Sequence, residues 1–413
     1  MKEGLIIKLY REKASLTQAQ LGEGICSITH LSKIERGITQ YSLEITSLIC
    51  KRLNIDLERE RKRYEQLEKK LHEWLDAMVK QQLGELEVIK EEIEGNTFIH
   101  LSEVQNSYQI LLARYYFTKG NFLKGKGFLE SCQNRQGTFD RYERNLFEHT
   151  WGTYCLTQGK MNDAIKHLTR INPIEYPNHE FYYHLACAYH HVQSKVKAYH
   201  YAGLALNYFR NTNNFKRMLD AEIMMLIQMG HNDLNHFDDT VERYHTLIKS
   251  CNTYQENEKV ANLWHNLGVD FSSKRRYDEA IDAYKKALKV CESQSLPLIE
   301  LGARRGIVHC SLLIGRSKKS ELKKHIYLGM SLAEKMQIQP YIHVFYLLEI
   351  MLNHSREEKY YHYLETTILP YLREVGHESL LTIYEKEMFH YYKKSSQYEK
   401  AAELAVKYMS TSE

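Results

Sequence analysis

The apolar positions of this 413-residue chain recur with a helical period almost from end to end, and no alternating run of β-branched residues interrupts them. Gly4–Lys13 reads as a first helix with Leu5, Ile6 and Leu9 on one face. Thr17 stands at the start of a second, with Gln20 at the capping-box spacing and Leu21 as its core residue. Ser27 caps a third, which ends at Gly37; Leu31 and Ile34 face inward there and leave Ile28, Thr29, Ser32 and Lys33 outward. Ser42 caps a fourth, whose apolar residues are Leu43, Ile45, Leu48, Ile49 and Leu53. The prolines, Pro173, Pro177, Pro297, Pro340 and Pro370, all lie beyond residue 170 and are widely spaced, so long helices are permitted. The pattern predicts an all-α chain.

Residues 57–75 predict a charged connecting helix. Leu57, Tyr64, Leu67, Leu71, Trp74 and Leu75 form its apolar stripe, and Arg59, Arg61, Lys62 and Arg63 crowd one end. Two readings are open: the stripe docks on the next domain, or the basic end lies near a nucleic-acid backbone. Beyond it the chain repeats. Trp264, Leu267, Gly268 and Phe271, followed by Tyr277, Ala280, Ala283, Tyr284, Ala287 and Leu288, fall at the tetratricopeptide spacings. Weaker copies contain Leu112, Ala113, Tyr116 and Gly125; Trp151, Gly152, Ala164 and Leu168; Tyr182, Leu185, Ala186, Tyr189, Ala198, Ala202 and Ala205; and Tyr392, Tyr398, Ala401, Ala405 and Tyr408. The spacing of Gly125, Ala164, Ala198, Ala280 and Ala401 predicts about eight helix pairs between residues 100 and 410, which would curl into a right-handed superhelix with a concave groove. The expected division is 1–60 for the small helical domain, 61–95 for a linker helix and 96–413 for the array.

Charge adds a direction to this layout. The net excess of +4 resides in residues 1–70, which hold 14 Lys+Arg against 10 Asp+Glu, while the remainder is balanced at 42 each. A polyanion would meet the N-terminal end. None of the eight cysteines forms a CxxC pair and most lie in helical runs, which points to free thiols in a reducing, cytoplasmic setting. No secretory leader is expected from the amphipathic opening, and no apolar run reaches the length of a membrane span.

Two short helices joined by a tight turn could be an ordinary bundle or a helix-turn-helix, whose second helix enters the major groove. The residues Arg11-Glu12-Lys13, Leu16-Thr17-Gln18, Leu31-Ser32-Lys33-Ile34-Glu35-Arg36-Gly37 and Ser42-Leu43-Glu44 resemble the phage-repressor-type helix-turn-helix domain over about residues 4–60. The resemblance implies that Gln18 and Arg36 touch phosphates, that Ser27, Ile28, Thr29 and Lys33 face bases, and that Arg11 and Glu35 form a structural ion pair. Ser15 stands where a turn glycine is usual and Tyr41 where proline is common, and the turn between the second and third helices is a residue short.

A head of this kind followed by such an array resembles the peptide-pheromone-responsive regulators of Gram-positive bacteria, the Rap–NprR–PlcR–PrgX group, with a length like that of the NprR branch. The resemblance implies a cytoplasmic homodimer, or a higher oligomer with ligand, that binds double-stranded operator DNA and is controlled by a short signalling peptide in the groove. The candidate peptide contacts are Asn262, Asn266, Arg304, Arg305, His309, Tyr346 and Glu349; the alternative for each is a solvated groove wall, and for Tyr346 a core contact. The alternative is a Rap-like protein that binds a response regulator as a phosphatase or by sequestration; a plain scaffold is the third option. No GxxxxGK[ST], GxGxxG or HExxH motif is present, so no enzyme and no cofactor is expected. His184, His190 and His191 share one predicted inner helix. Without a third ligand at a fixed spacing they read as polar groove lining, and no metal is expected.

Overall fold

The computed structural model describes residues 2–38, 42–229, 237–315, 318–354, 358–374 and 378–410; Tyr41 and the side chain of Tyr408 lie outside this set. The described residues are helical apart from turns and loops, and they fall into two compact units, Met1–Met224 and Met225–Glu413.

The first unit opens with four short helices, α1 (Lys2–Lys13), α2 (Gln18–Gly22), α3 (Ile28–Glu35) and α4 (Leu43–Leu53). The predicted caps are in place. Thr17 and Gln20 close a reciprocal capping box, and the Ser27 and Ser42 hydroxyls accept from the N–H groups of His30 and Ile45, each at 3.2 Å. The head's core is Ile7, Leu21, Leu31, Ile34 and Ile49. Ile7 departs from the expected single stripe because α1 is buried on two sides: Ile6 packs in a second cluster with Tyr64, Leu67 and Trp74. Of the apolar residues on α4, Leu43 is 91% and Leu48 46% exposed.

The connecting helix α5 (Leu57–Val79) buries Tyr64, Leu67, Leu71, Trp74 and Leu75, so its stripe docks as the first reading has it. Its basic end is partly neutralised within the helix, Arg61 by Glu58 at 2.9 Å and Arg63 by Glu60 at 3.0 Å. The segment to residue 95 is not one helix: Gln81 takes φ +58° and a separate α6 (Leu86–Glu94) follows.

Helices then alternate in pairs: α7 and α8 (Ser102–Thr118, Phe122–Gln133), α9 and α10 (Arg141–Thr157, Met161–Leu168), α11 and α12 (Phe181–His191, Lys195–Asn211), and α13 and α14 (Phe215–Met229, Phe237–Thr253), the unit boundary falling within α13. The second unit continues with α15 and α16 (Asn257–Ser273, Tyr277–Gln294) and α17 and α18 (Pro297–Ile314, Lys319–Lys335). It then has α19 (Gln339–His354) with α20 and α21 (Glu358–Tyr363, Leu369–Glu374), and α22 and α23 (Glu378–Lys394, Tyr398–Ser410). Eight pairs are thus present among the described residues. Pro370 lacks the N–H that would bond to residue 366, and a π-helical segment, Leu364–Ile368, separates α20 from α21.

One local device recurs in five pairs. Gly120, Gly159, Gln193, Arg275 and Ser396 take positive φ, from +60° to +74°, at the corner between the two helices. The following N–H reaches back to the carbonyl five residues earlier, as from Asn121 to Tyr116 at 2.8 Å and from Arg276 to Phe271 at 2.9 Å. That is a left-handed helix stop. Five residues beyond each corner stands the small residue of the tight crossing, Gly125, Ala164, Ala198, Ala280 or Ala401, all buried. A Cβ on Gly268 would lie 2.7 Å from the Tyr284 ring, so the aromatic fills the space a side chain there would need. Tyr398, expected in the repeat core, is 66% exposed at the first position of α23, before the crossing begins.

Gln193 is exposed and left-handed at φ +60°. Gln193→Gly should therefore raise stability by about 0.5–1 kcal/mol in urea unfolding, because glycine occupies this region without a Cβ penalty. A loss of stability would show that the Gln193 side chain contributes more than its backbone strain costs.

Candidate nucleic-acid interface and ligand-binding face

In the head, Glu35 is 3% exposed and accepts from three N–H groups. Arg11 Nε and Nη2 lie 2.5 and 3.1 Å from its two oxygens, and Gln18 Nε2 lies 2.7 Å from Oε2. Arg11 also donates to the Leu16 carbonyl at 2.9 Å. The expected Arg11–Glu35 ion pair is present, and through Gln18 it fixes α2 against α3. With Leu31 and Ile34 fully buried, Ser27, Ile28, Thr29, Lys33 and Arg36 are exposed. Ser27 spends its acceptor on the cap, Arg36 Nε donates to the Ser32 carbonyl at 3.2 Å, and half-buried Gln18 keeps its amide oxygen and one N–H uncommitted to Glu35. Two supporting residues escaped the sequence reading. A Cβ on Gly4 would fall 2.1 Å from the Ile34 carbonyl oxygen, so only glycine lets α1 lie across the end of α3. Arg52 donates to the Leu21 and Glu23 carbonyls at 2.9 and 2.6 Å, closing the end of α2. Ser15, standing for the usual turn glycine, adopts φ +53°.

In the second unit, Asn262 and Asn266 are half-buried one turn apart on α15, and His265 Nδ1 is 3.4 Å from the Asn266 amide oxygen. His265 Nε2 has no hydrogen-bond partner among the described residues. Burial and the nearby Arg305 charge lower that histidine to about 4, so it is neutral. Arg304 and Arg305 do not act as a doublet. Adjacent helical positions diverge, and Arg304 is held by Glu300 at 2.7 Å and by His325 at 3.3 Å. Arg305 remains half-buried on the side of His265 and Tyr284, and half-buried His309 lies one turn further on the same helix. Tyr346 is 43% exposed with its ring edge against Tyr363, and Glu349 is exposed. Gly302 and Gly306 bring α17 close: a Cβ on Gly302 would lie 2.5 Å from His265, and one on Gly306 2.3 Å from Tyr284. Their four-residue spacing was the available signal.

The three histidines of α11 separate. His191 is exposed, whereas His184 is buried with His149 and Glu180, so it is not groove lining. These three residues place one donor atom each within 4.8 Å of the others, which supplies the third ligand type that no sequence spacing indicated. The arrangement nevertheless favours ion pairing over a cation. One Glu180 oxygen takes Arg114 and the other takes Arg217 at 2.7 Å, so an ion would have to displace two guanidinium groups. Tyr176 lies 2.9 Å from His149 Nδ1 and Arg114 3.4 Å from it. Both present donors, which makes Nδ1 the acceptor and puts the proton on Nε2, directed at His184 Nδ1 at 2.9 Å.

Burial lowers both histidines, His184 to about 4, with Arg114 and Arg217 adding to the effect. Glu180 would be raised by its burial, but the two arginines hold it well below the usual carboxylate range. The unfolded histidines recover a pKa near 6.5, so they bind protons on unfolding, and stability should fall as pH drops from about 6.5 towards about 4. Replacing His184 by Gln, which can still accept from His149, should flatten the fall. Urea titrations across that range check it, and an unchanged slope in the variant would exclude His184 as its source.

A helix-turn-helix family model matches residues 7–59 and a tetratricopeptide-repeat model matches residues 261–294. The transcriptional activator NprA of Geobacillus stearothermophilus is 25% identical over 285 residues, covering 67% of this chain and 69% of that protein. Regulatory protein RapD of Bacillus subtilis is 22% identical over 353 residues, covering 80% and 95%. The apo form of the quorum sensor NprR from B. thuringiensis superposes with a TM-score of 0.70 at 19% identity, covering 84% of this chain and 99% of that one. NprR in complex with its cognate peptide NprX gives 0.65 at 19% identity, covering 82% and 97%. In fold and in the order of its parts, the chain is a Rap- and NprR-like protein, a helix-turn-helix head joined to an array of tetratricopeptide-type helix pairs.

Proposed function

We propose that this protein is a quorum-sensing-type transcription regulator, whose head binds double-stranded operator DNA under the control of a short signalling peptide held on the array. The observation that carries the DNA half is the division of α3 into a buried pair, Leu31 and Ile34, and an exposed face of Ser27, Ile28, Thr29 and Lys33. A helix presenting such a face can reach base edges, where Ile28 suits a thymine methyl and Lys33 a guanine. Arg36 and the free side of the Gln18 amide are assigned to phosphates. The peptide half draws on the partly exposed polar side chains of α15, α17 and α19, and on the relationship to NprR, which binds a cognate peptide. Asn262 and Asn266 would pair with a peptide backbone, since each amide both donates and accepts. Arg305, with no ion pair among the described residues, would meet a carboxylate; His309, Tyr346 and Glu349 would complete the contact, with Arg304 in support through Glu300. The reading divides the chain into a DNA-binding domain at 1–60, a connecting segment at 61–95 and a sensing and dimerisation domain at 96–413. It places a homodimer, without metal or cofactor, in the cytoplasm. No helix among the described residues is long and apolar enough to cross a membrane.

The likeness to RapD across 80% of the chain supports a second reading, in which the array binds a response regulator. Faster loss of phosphate from a phosphorylated response regulator on adding the protein would favour it.

Anisotropy against a duplex selected from a random pool tests the first reading. Lys33→Ala should cost about 1–3 kcal/mol at the selected site and relax its sequence preference. Arg36→Ala should weaken all duplexes alike and lower the salt slope by about one. Equal effects of both changes on selected and random DNA would overturn the assignment. For the ligand, calorimetry with a short peptide selected for binding from a random library should show Asn266→Ala losing about 1–3 kcal/mol, because peptide amides would be left unpaired. Unchanged affinity in both Asn266→Ala and Arg305→Ala would place the peptide elsewhere.

A further inference from the structure

The C-terminal end of α5 is closed in two ways. Within the helix, the N–H of Gln82 reaches the Ala77 carbonyl at 2.9 Å and that of Gln81 reaches the Met78 carbonyl at 3.2 Å. The Val79 carbonyl is met from elsewhere, by Asn214 Nδ2 at 3.1 Å and by Arg217 Nε at 3.4 Å, residues 135 and 138 positions away. Asn214 is 4% exposed and serves two helices at once, because its Oδ1 accepts from the Arg217 N–H at 3.3 Å and so caps α13. Arg217 continues the path: Nη2 lies 2.7 Å from Glu180 at the start of α11, and Nη1 lies 3.4 Å from Asp220. The other Glu180 oxygen takes Arg114 of α7. A buried polar column therefore runs from α7 through the start of α11 to α13, and ends on the helix that carries the head.

We propose that Asn214 and Arg217 are a latch that fixes the head-bearing helix to the first helix pairs and releases it when those pairs change pitch. The proposal rests on the reading of the chain as a DNA-binding protein governed by its array. The column spans successive pairs from α7 to α13, so a change of pitch among them must lengthen at least one of the contacts Arg114–Glu180, Glu180–Arg217 or Arg217–Val79. Hydrogen bonds weaken steeply with a few tenths of an ångström and with bending. The Arg217–Val79 contact, already at 3.4 Å, is the longest of the three and joins a charged donor to a neutral acceptor. The two others are charge-assisted contacts to a carboxylate, which are stronger. The column should therefore open first at α5, and the free end of that helix would then gain mobility that the head inherits through the α1–α5 packing.

Asn214→Asp separates the two roles of this residue. The carboxylate still caps α13 but has no N–H for the Val79 carbonyl. Arg217→Met removes the second donor while leaving Glu180 paired with Arg114. In the full chain, amide exchange over residues 74–86 should quicken by about ten-fold in Asn214→Asp, the worth of a buried hydrogen bond, with exchange over α15 and α16 unchanged. Affinity for the selected duplex should shift several-fold in the same preparation. Exchange at the end of α5 equal to that of the unaltered protein in both variants would overturn the latch. Faster exchange with unchanged duplex affinity would also overturn it, leaving a structural cap. If Arg217→Met does not fold, Asn214→Asp decides alone. Failure of the unaltered protein to bind any duplex would remove the functional reading, while the exchange result would still show whether α5 is held here.

Discussion

Helix α5 has to satisfy two partners at once, and the arrangement of the first unit depends on it. Its N-terminal half closes the head: Tyr10 donates to Glu60 at 2.5 Å, Lys2 pairs with Glu68, and Ile6 packs against the Tyr64 cluster. The same helix then runs on into the array, where Trp74 is fully buried and donates to the Leu86 carbonyl at 3.1 Å. Burying a large aromatic together with its N–H partner contributes both area and direction. The head is thus joined to the first helix pairs through a shared apolar cluster rather than through a loose connection. Motion within those pairs has a physical route to α3.

The array is held by a rule that is nearly local. A left-handed stop ends one helix, and five residues later a small side chain lets the next helix pass closely. Both features are short-range, and in the five pairs that carry them they set how closely the two helices cross. Polar contacts add to the non-local apolar packing. Tyrosine hydroxyls donate to carboxylates on other helices, as Tyr108 to Glu94 at 2.6 Å and Tyr244 to Asp270 at 2.7 Å. The Arg114–Glu180–Arg217 column is the deepest example. Burial holds the adjacent histidines neutral, and the excess positive charge of two guanidinium groups on one buried carboxylate adds to the effect. Breaking such a cluster by removing one member costs more than forming it contributes, since a buried charge is left without its partner. The column therefore acts chiefly to select one arrangement of these helices.

The candidate DNA face was legible because its geometry is written within eight residues of α3: two buried positions three apart oblige the rest to face outward. The supporting contacts were less legible. Arg11–Glu35 was anticipated by resemblance, whereas Gly4 and Arg52 act on carbonyls of helices up to about thirty residues away, and backbone acceptors leave no mark in a sequence. On the candidate ligand face, Asn262 and Asn266 share a side of α15, as their spacing implies. Arg304 and Arg305, adjacent in sequence, diverge on the helix, and Glu300 one turn before Arg304 is the residue that holds it.

The sequence by itself determined what depends on neighbours within one or two turns. This covers the all-α class, the caps at Thr17, Ser27 and Ser42, the number of helix pairs and the small residue at each close crossing. Helical periodicity and capping are short-range physics, and a single stretch of chain carries them whole. The tertiary structure alone decided where charge is buried. His184, read as one of three similar histidines, became neutral and enclosed because His149, Arg114 and Arg217 arrive from three other helices to meet it and Glu180, one turn before it at the start of α11. Ile7 entered the head's core, and Leu43 was left outside, for the same reason. Whether a side chain meets water or protein is settled by the surfaces that other helices bring to it, and those surfaces are fixed only when the chain is folded.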